Sequence, residues 1–119
     1  MVAADYIESD FAMKTLKEIL LSIEDHSVLA WIYLPADKNW KLDSACAVLE
    51  SEEVPPELED EPDAGIPEFA KQNGLIQVLP VSTVQDIVSN AKEQKPDATI
   101  GDLLKAFEFY YRHDAFYKF

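Results

Sequence analysis

The 119-residue chain has one cysteine, three glycines and only ten lysines and arginines. Each scarcity excludes something. A single Cys46 cannot form an intramolecular disulfide, so a disulfide-stapled secreted scaffold is ruled out. Three glycines and seven prolines are too few for a low-complexity chain. No apolar run approaches the roughly 20 residues of a membrane span. The opening Met1-Val2-Ala3-Ala4-Asp5-Tyr6 has neither the basic nor the apolar region of a secretory signal. A reducing cytoplasm is therefore the expected compartment. Motifs for common chemistries are missing too: no glycine-rich phosphate loop, no HExxH and no CxxC.

What is present is acid. Twenty-three Asp and Glu against ten Lys and Arg give a net charge of −13. Such a field repels phosphate backbones and anionic lipid, and it speeds encounter with cationic partners. Direct nucleic-acid binding and membrane binding are not expected, and a basic protein is the partner class that fits. Hydrophobic residues make up 48% of the chain, enough for one core, and the length suits a single domain.

The pattern predicts an α+β fold, with a small, mostly antiparallel sheet packed against about four helices, over residues 14–119. Residues 1–13 lead up to Met13-Lys14, which reads like a second start, and form an arm, an alternative start or an expression remnant. Thr15 and Glu18 fit a capping box. Leu16, Ile19, Leu20 and Ile23 then recur at helical spacing as a buried face. Val28 to Leu34 is apolar on both alternating faces, as in a strand covered on two sides. Trp40–Leu42 and Ala45–Leu49 read as one interrupted strand or two short ones, antiparallel to the first. Pro67 opens a short helix closed by Gly74, and Leu75–Leu79 is a strand. Ser82 or Thr83 is expected to cap the next helix, whose inner face is Val84, Ile87, Val88 and Ala91. Thr99 and Asp102 suggest another cap. The last helix has the stripe Ile100, Leu103, Leu104, Phe107 and either Tyr110 or Tyr111. Asp114 to Phe119 is a short strand or a tail packed by its aromatics.

Between Asp43 and Glu68 lie ten acidic residues and no basic one. The loop at 50–66 contains Pro55, Pro56 and Pro62 and is followed by Pro67, so it resists helix and central strand alike. It lacks the alternating ligands of a calcium loop, and no specific metal site is expected. A solvated charge run explains the same composition. Three details favour a binding loop: the apolar Val54, Leu58 and Ile66 punctuate the acids, the prolines limit the entropy lost on docking, and the charge has one sign throughout.

Possible catalytic groups are few. Cys46 sits in the apolar Ala45-Cys46-Ala47-Val48 and reads as core. His26 and His113 each lie at a helix end, where capping explains them better than acid–base work. The expectation is a non-enzyme without cofactors. Phe107, Phe109, Tyr110 and Tyr111 cannot all face inward from one helix unless a second layer covers it, and exposed tyrosines make good interface anchors.

The start Met13-Lys14-Thr15-Leu16-Lys17-Glu18-Ile19-Leu20, the acidic run Glu57 to Pro67 and the ending Phe109-Tyr110-Tyr111-Arg112-His113-Asp114-Ala115-Phe116 resemble those of small acidic bacterial immunity proteins, particularly of the contact-dependent growth inhibition type. The resemblance covers residues 13–119 and supplies no signature residue. It implies a cognate toxin domain as partner, a nuclease with a basic groove, which the acidic surface would occlude. Glu57, Glu59, Asp60, Glu61 and Asp63 are the candidate electrostatic contacts, Leu58 an anchor, and Tyr110 and Tyr111 further partner-binding candidates. A monomer or weak dimer is expected. The alternatives are a nucleic-acid-mimic inhibitor of phage type, a non-catalytic subunit of a larger assembly, and a small enzyme in which His26, Cys46 or His113 would converge.

Overall fold

A computed structural model describes residues 13–50 and 66–119. The N-terminal extension to residue 12 and the acidic residues from Glu57 to Asp63 lie outside the described residues. The elements run β1 (Lys14–Thr15), α1 (Leu16–Leu21), a 3-10 turn (Ile23–Asp25), β2 (Ala30–Pro35), β3 (Ala45–Glu50), α2 (Glu68–Gln72), β4 (Leu75–Pro80), α3 (Val81–Gln94) and α4 (Ile100–His113). Among the described residues this is the expected α+β fold, a four-stranded antiparallel sheet in the order β1-β3-β2-β4 with four α-helices.

The sheet is buried on both faces because its strands carry apolar side chains at odd and even positions alike. On one face Ala30, Ile32 and Leu34 of β2 join Cys46 of β3 and Val78 of β4 against Leu16, Ile19, Leu20, Val84, Ile87, Leu103 and Phe107 from the helices. On the other face Tyr33, Ala47 and Leu75 pack with Ala70 of α2, flanked by the half-buried Met13, Trp31, Leu49, Ile66 and Phe69. Registers Trp31 to Leu49 and Tyr33 to Ala47 place these second-face residues opposite one another. The β2–β4 register slips between Ile32, opposite Leu79, and Tyr33, opposite Gln77, so Val78 has no opposite residue. The Tyr33 hydroxyl, wholly buried, accepts a 3.0 Å hydrogen bond from Gln77 Nε2.

Both capping boxes form. Thr15 Oγ1 accepts from the Glu18 amide while Glu18 Oε1 accepts from the Thr15 amide at 3.0 Å. Thr99 and Asp102 do the same at α4. These bonds hold both carboxyls below their usual range, the backbone bond from the threonine first in each case, with Lys95 adding to it at Asp102. At its far end α4 stops where Asp114 turns left-handed, φ 54°, and its amide donates to Tyr110 O.

Several expectations are corrected. The first helix ends at Leu21, and Ile23 reaches the core from the 3-10 turn, which Gln85 Nε2 ties to α3 by donating to Ile23 O at 3.0 Å. Val28 and Leu29 precede the strand and are 58% and 73% exposed. Trp40–Leu42 is loop, not strand, because Leu42 O and Ser44 O are used to accept from the free amides of Lys17 and Leu16 at the start of α1. Pro67 is the residue before α2 rather than its first. The third helix begins at Val81, straight out of β4, so Ser82 and Thr83 are inside it and neither caps it. Of the two forms expected for the last six residues, the structure shows the aromatic-packed tail and not the short strand.

Candidate functional site

The C-terminal half of α4 gathers most of the sequence-predicted side chains that the structure describes. Phe107 points into the core and is fully buried. Tyr110 and Tyr111 are half-buried against the same cluster. Phe109 faces the other way, and there the tail supplies the second layer that the aromatic count required. Tyr117 meets Phe109 edge-on at 5.3 Å, and Phe116 lies 5.4 Å from Tyr110. Gln94 at the end of α3 clamps this tail, donating to Tyr117 O at 2.8 Å and accepting from the Phe119 amide at 3.1 Å. Tyr110 is thereby partly covered from within the chain. Tyr111, packed against Trp40, forms one wall of an open cleft.

That cleft, of about 360 Å³, is lined by Lys38, Trp40, Glu108, Tyr111 and Arg112. Its floor is Trp40, only 5% exposed, whose Nε1 donates to Pro35 O at 2.8 Å. The Trp40 ring lies 4.9 Å from Tyr111 in an edge contact and 6.1 Å from Phe107. Lys38 reaches over the Tyr111 ring with Nζ 5.8 Å from its centre. The turn that delivers Lys38 is strained and well braced. Lys38 has φ 59°, its amide donates to Pro35 O, and the next amide, of Asn39, donates to Asp37 Oδ1 at 3.0 Å. Sequence reading missed this cleft, since Lys38 lies in the turn after β2 and Arg112 at the end of α4, far apart in sequence. The one available signal was that Arg112 is the chain's only arginine.

The acidic run relates to the other face of the sheet. The described residues on either side of it, Leu49 in β3 and Ile66 before α2, pack against the same cluster around Tyr33. Leu49 and Ile66 thus both lie beside one apolar patch. Tyr110 and Tyr111 belong to the cluster on the opposite side of the sheet.

The groups considered for catalysis sit apart from the cleft's lining. Cys46 is wholly buried, and burial pushes its thiol up to about 12, so almost no thiolate exists at neutral pH. His26 Nε2 is 3.0 Å from Ser22 Oγ at the end of the 3-10 turn, and the His113 ring stacks 4.4 Å from Phe109. Among the described residues no group of three or more His, Cys, Asp and Glu could hold a metal ion. Among the same residues no helix is long and apolar enough to cross a membrane.

No curated protein and no solved structure matches the chain. Residues 13–119 match the model of the family described as Domain of unknown function (DUF7716), and the chain belongs to that family.

Proposed function

We propose that the protein is a non-catalytic immunity protein of the cytoplasm, which binds a cognate toxin domain and neutralises it by covering a basic groove. The observation that carries this reading is the acidic run itself, ten carboxylates and no cation from Asp43 to Glu68, within which Leu49 and Ile66 both pack on one apolar cluster. Three prolines within the run, Pro55, Pro56 and Pro62, restrict the unbound chain, so less entropy is lost on docking. Opposite charge raises the encounter rate, and apolar contacts such as Leu58 lengthen the life of the complex. A nuclease is the toxin class whose substrate groove is cationic by necessity, so Glu57, Glu59, Asp60, Glu61 and Asp63 are assigned to its phosphate subsites.

Co-expression provides the test. The chain should restore growth to cells producing the toxin domain encoded immediately upstream of its own gene, and the two polypeptides should co-purify. Replacing the five carboxylates by lysine should abolish rescue while the variant remains folded. Rescue that persists in that variant removes the run from the mechanism; a locus without a toxin gene removes the function.

A further inference from the structure

The cleft at the end of α4 stands apart from the acidic run and has a chemistry of its own. In a chain with net charge −13, two cations converge on one concavity whose floor and wall are aromatic. One is the only arginine of the sequence. Glu108 lies four residues before Arg112 on the same helix, a spacing that usually invites an ion pair. The ion pairs formed among the described residues are instead Lys71 with Glu68 and Lys95 with Asp102. Arg112 therefore keeps its planar donor fork available to an incoming anion. Lys38 is held in a left-handed backbone conformation that costs a non-glycine residue energy, and such strain persists only where surrounding contacts impose it.

We infer that this cleft binds a single carboxylate carried on a planar apolar body. Arg112 takes the carboxylate with its fork, Lys38 adds a second positive charge, and the planar body lies against Trp40 and Tyr111. The volume of about 360 Å³ suits a ligand of one or two rings. Glu108 on the same lip and the chain's overall negative field disfavour polyanions, which separates this site from one for nucleotides or polyphosphates. A carboxylate of this kind is supplied either by a free aromatic acid or by the C-terminus of a peptide ending in an aromatic residue.

The 119-residue chain can be titrated with indole-3-acetate, indole-3-acetamide, inorganic phosphate and a short peptide ending in phenylalanine, free or amidated. The two indole N–H resonances are the readout, Trp40 in the cleft and Trp31 on the far face as internal control. Indole-3-acetate or the free-acid peptide should move Trp40 alone, with a dissociation constant of about 1 mM for the small acid. The two amides and phosphate should bind at least about tenfold more weakly. Arg112→Gln should cost about tenfold in affinity, and Glu108→Gln should improve it severalfold. Lys38→Gly relieves the backbone strain, so it should fold at least as well as the parent and yet bind more weakly. The inference is upheld by either carboxylate source, and the tighter of the two identifies which it is. It is overturned if neither moves Trp40 at about 20 mM, if the amides bind as well as the acids, or if Arg112→Gln and Lys38→Gly both leave the affinity unchanged.

Discussion

The two faces of the sheet are built differently. The face under α1, α3 and α4 is closed by long, regular helices whose large side chains reach full burial, Phe107, Ile87, Val84 and Leu16 among them. Among the described residues, the other face is covered by the five-residue α2, and the remaining apolar neighbours of the buried Tyr33, Ala47, Ala70 and Leu75 are only half-covered. One face is a core. The other is a patch to which an acidic run is tied. Stability should reside chiefly in the first, where the large side chains are fully buried.

The largest expected effect breaks the core face. Phe107→Ala should destabilise by about 3–5 kcal/mol in chemical denaturation, since it empties a site packed on all sides and removes the support of Trp40. A loss below about 1 kcal/mol would mean that the helices do not close that face as described. Leu75→Ala on the second face should cost nearer 2 kcal/mol, because half-exposed neighbours can settle into the space. Equal penalties at the two positions would erase the distinction between the faces. Thr15→Ala and Thr99→Ala, which remove the hydroxyls of the capping boxes, should each cost about 1 kcal/mol by the same measurement.

The smallest effect is one of pH. The Glu18 and Asp102 carboxyls are lowered in the fold, so each contributes stability above its unfolded value, near 4.5 and 3.8, and loses it as pH falls through the folded value. The difference in melting temperature between the parent and Glu18→Gln or Asp102→Asn should be present at pH 7 and shrink below about pH 4. A difference that stays constant down to pH 2 would show that the carboxylate charge is not what the caps use.

Much of the fold was legible because its signals are local. The capping boxes need only residues three apart, and the two-sided burial of β2 follows from its unbroken apolar run. What was not legible is set by distant partners. The two-residue strand Lys14–Thr15 exists through its pairing with Ala45 and Cys46. The Trp40 segment looks extended in sequence, yet its carbonyls are taken by the start of α1. The helix at Val81 ignores Ser82 and Thr83 because Val81 itself must be fully buried where β4 passes into α3. The candidate site divides in the same way. A charge run can be counted along a chain, whereas a cleft joining a turn after β2 to the end of α4 cannot.

Association kinetics with the toxin domain proposed as partner test the central claim most directly, for the parent chain and for a variant with Glu57, Glu59, Glu61 changed to Gln and Asp60, Asp63 to Asn. Docking through the acidic run predicts a parental on-rate that falls steeply with added salt, and a variant on-rate about a hundredfold lower with little salt dependence. Superimposable rates at low salt would contradict it.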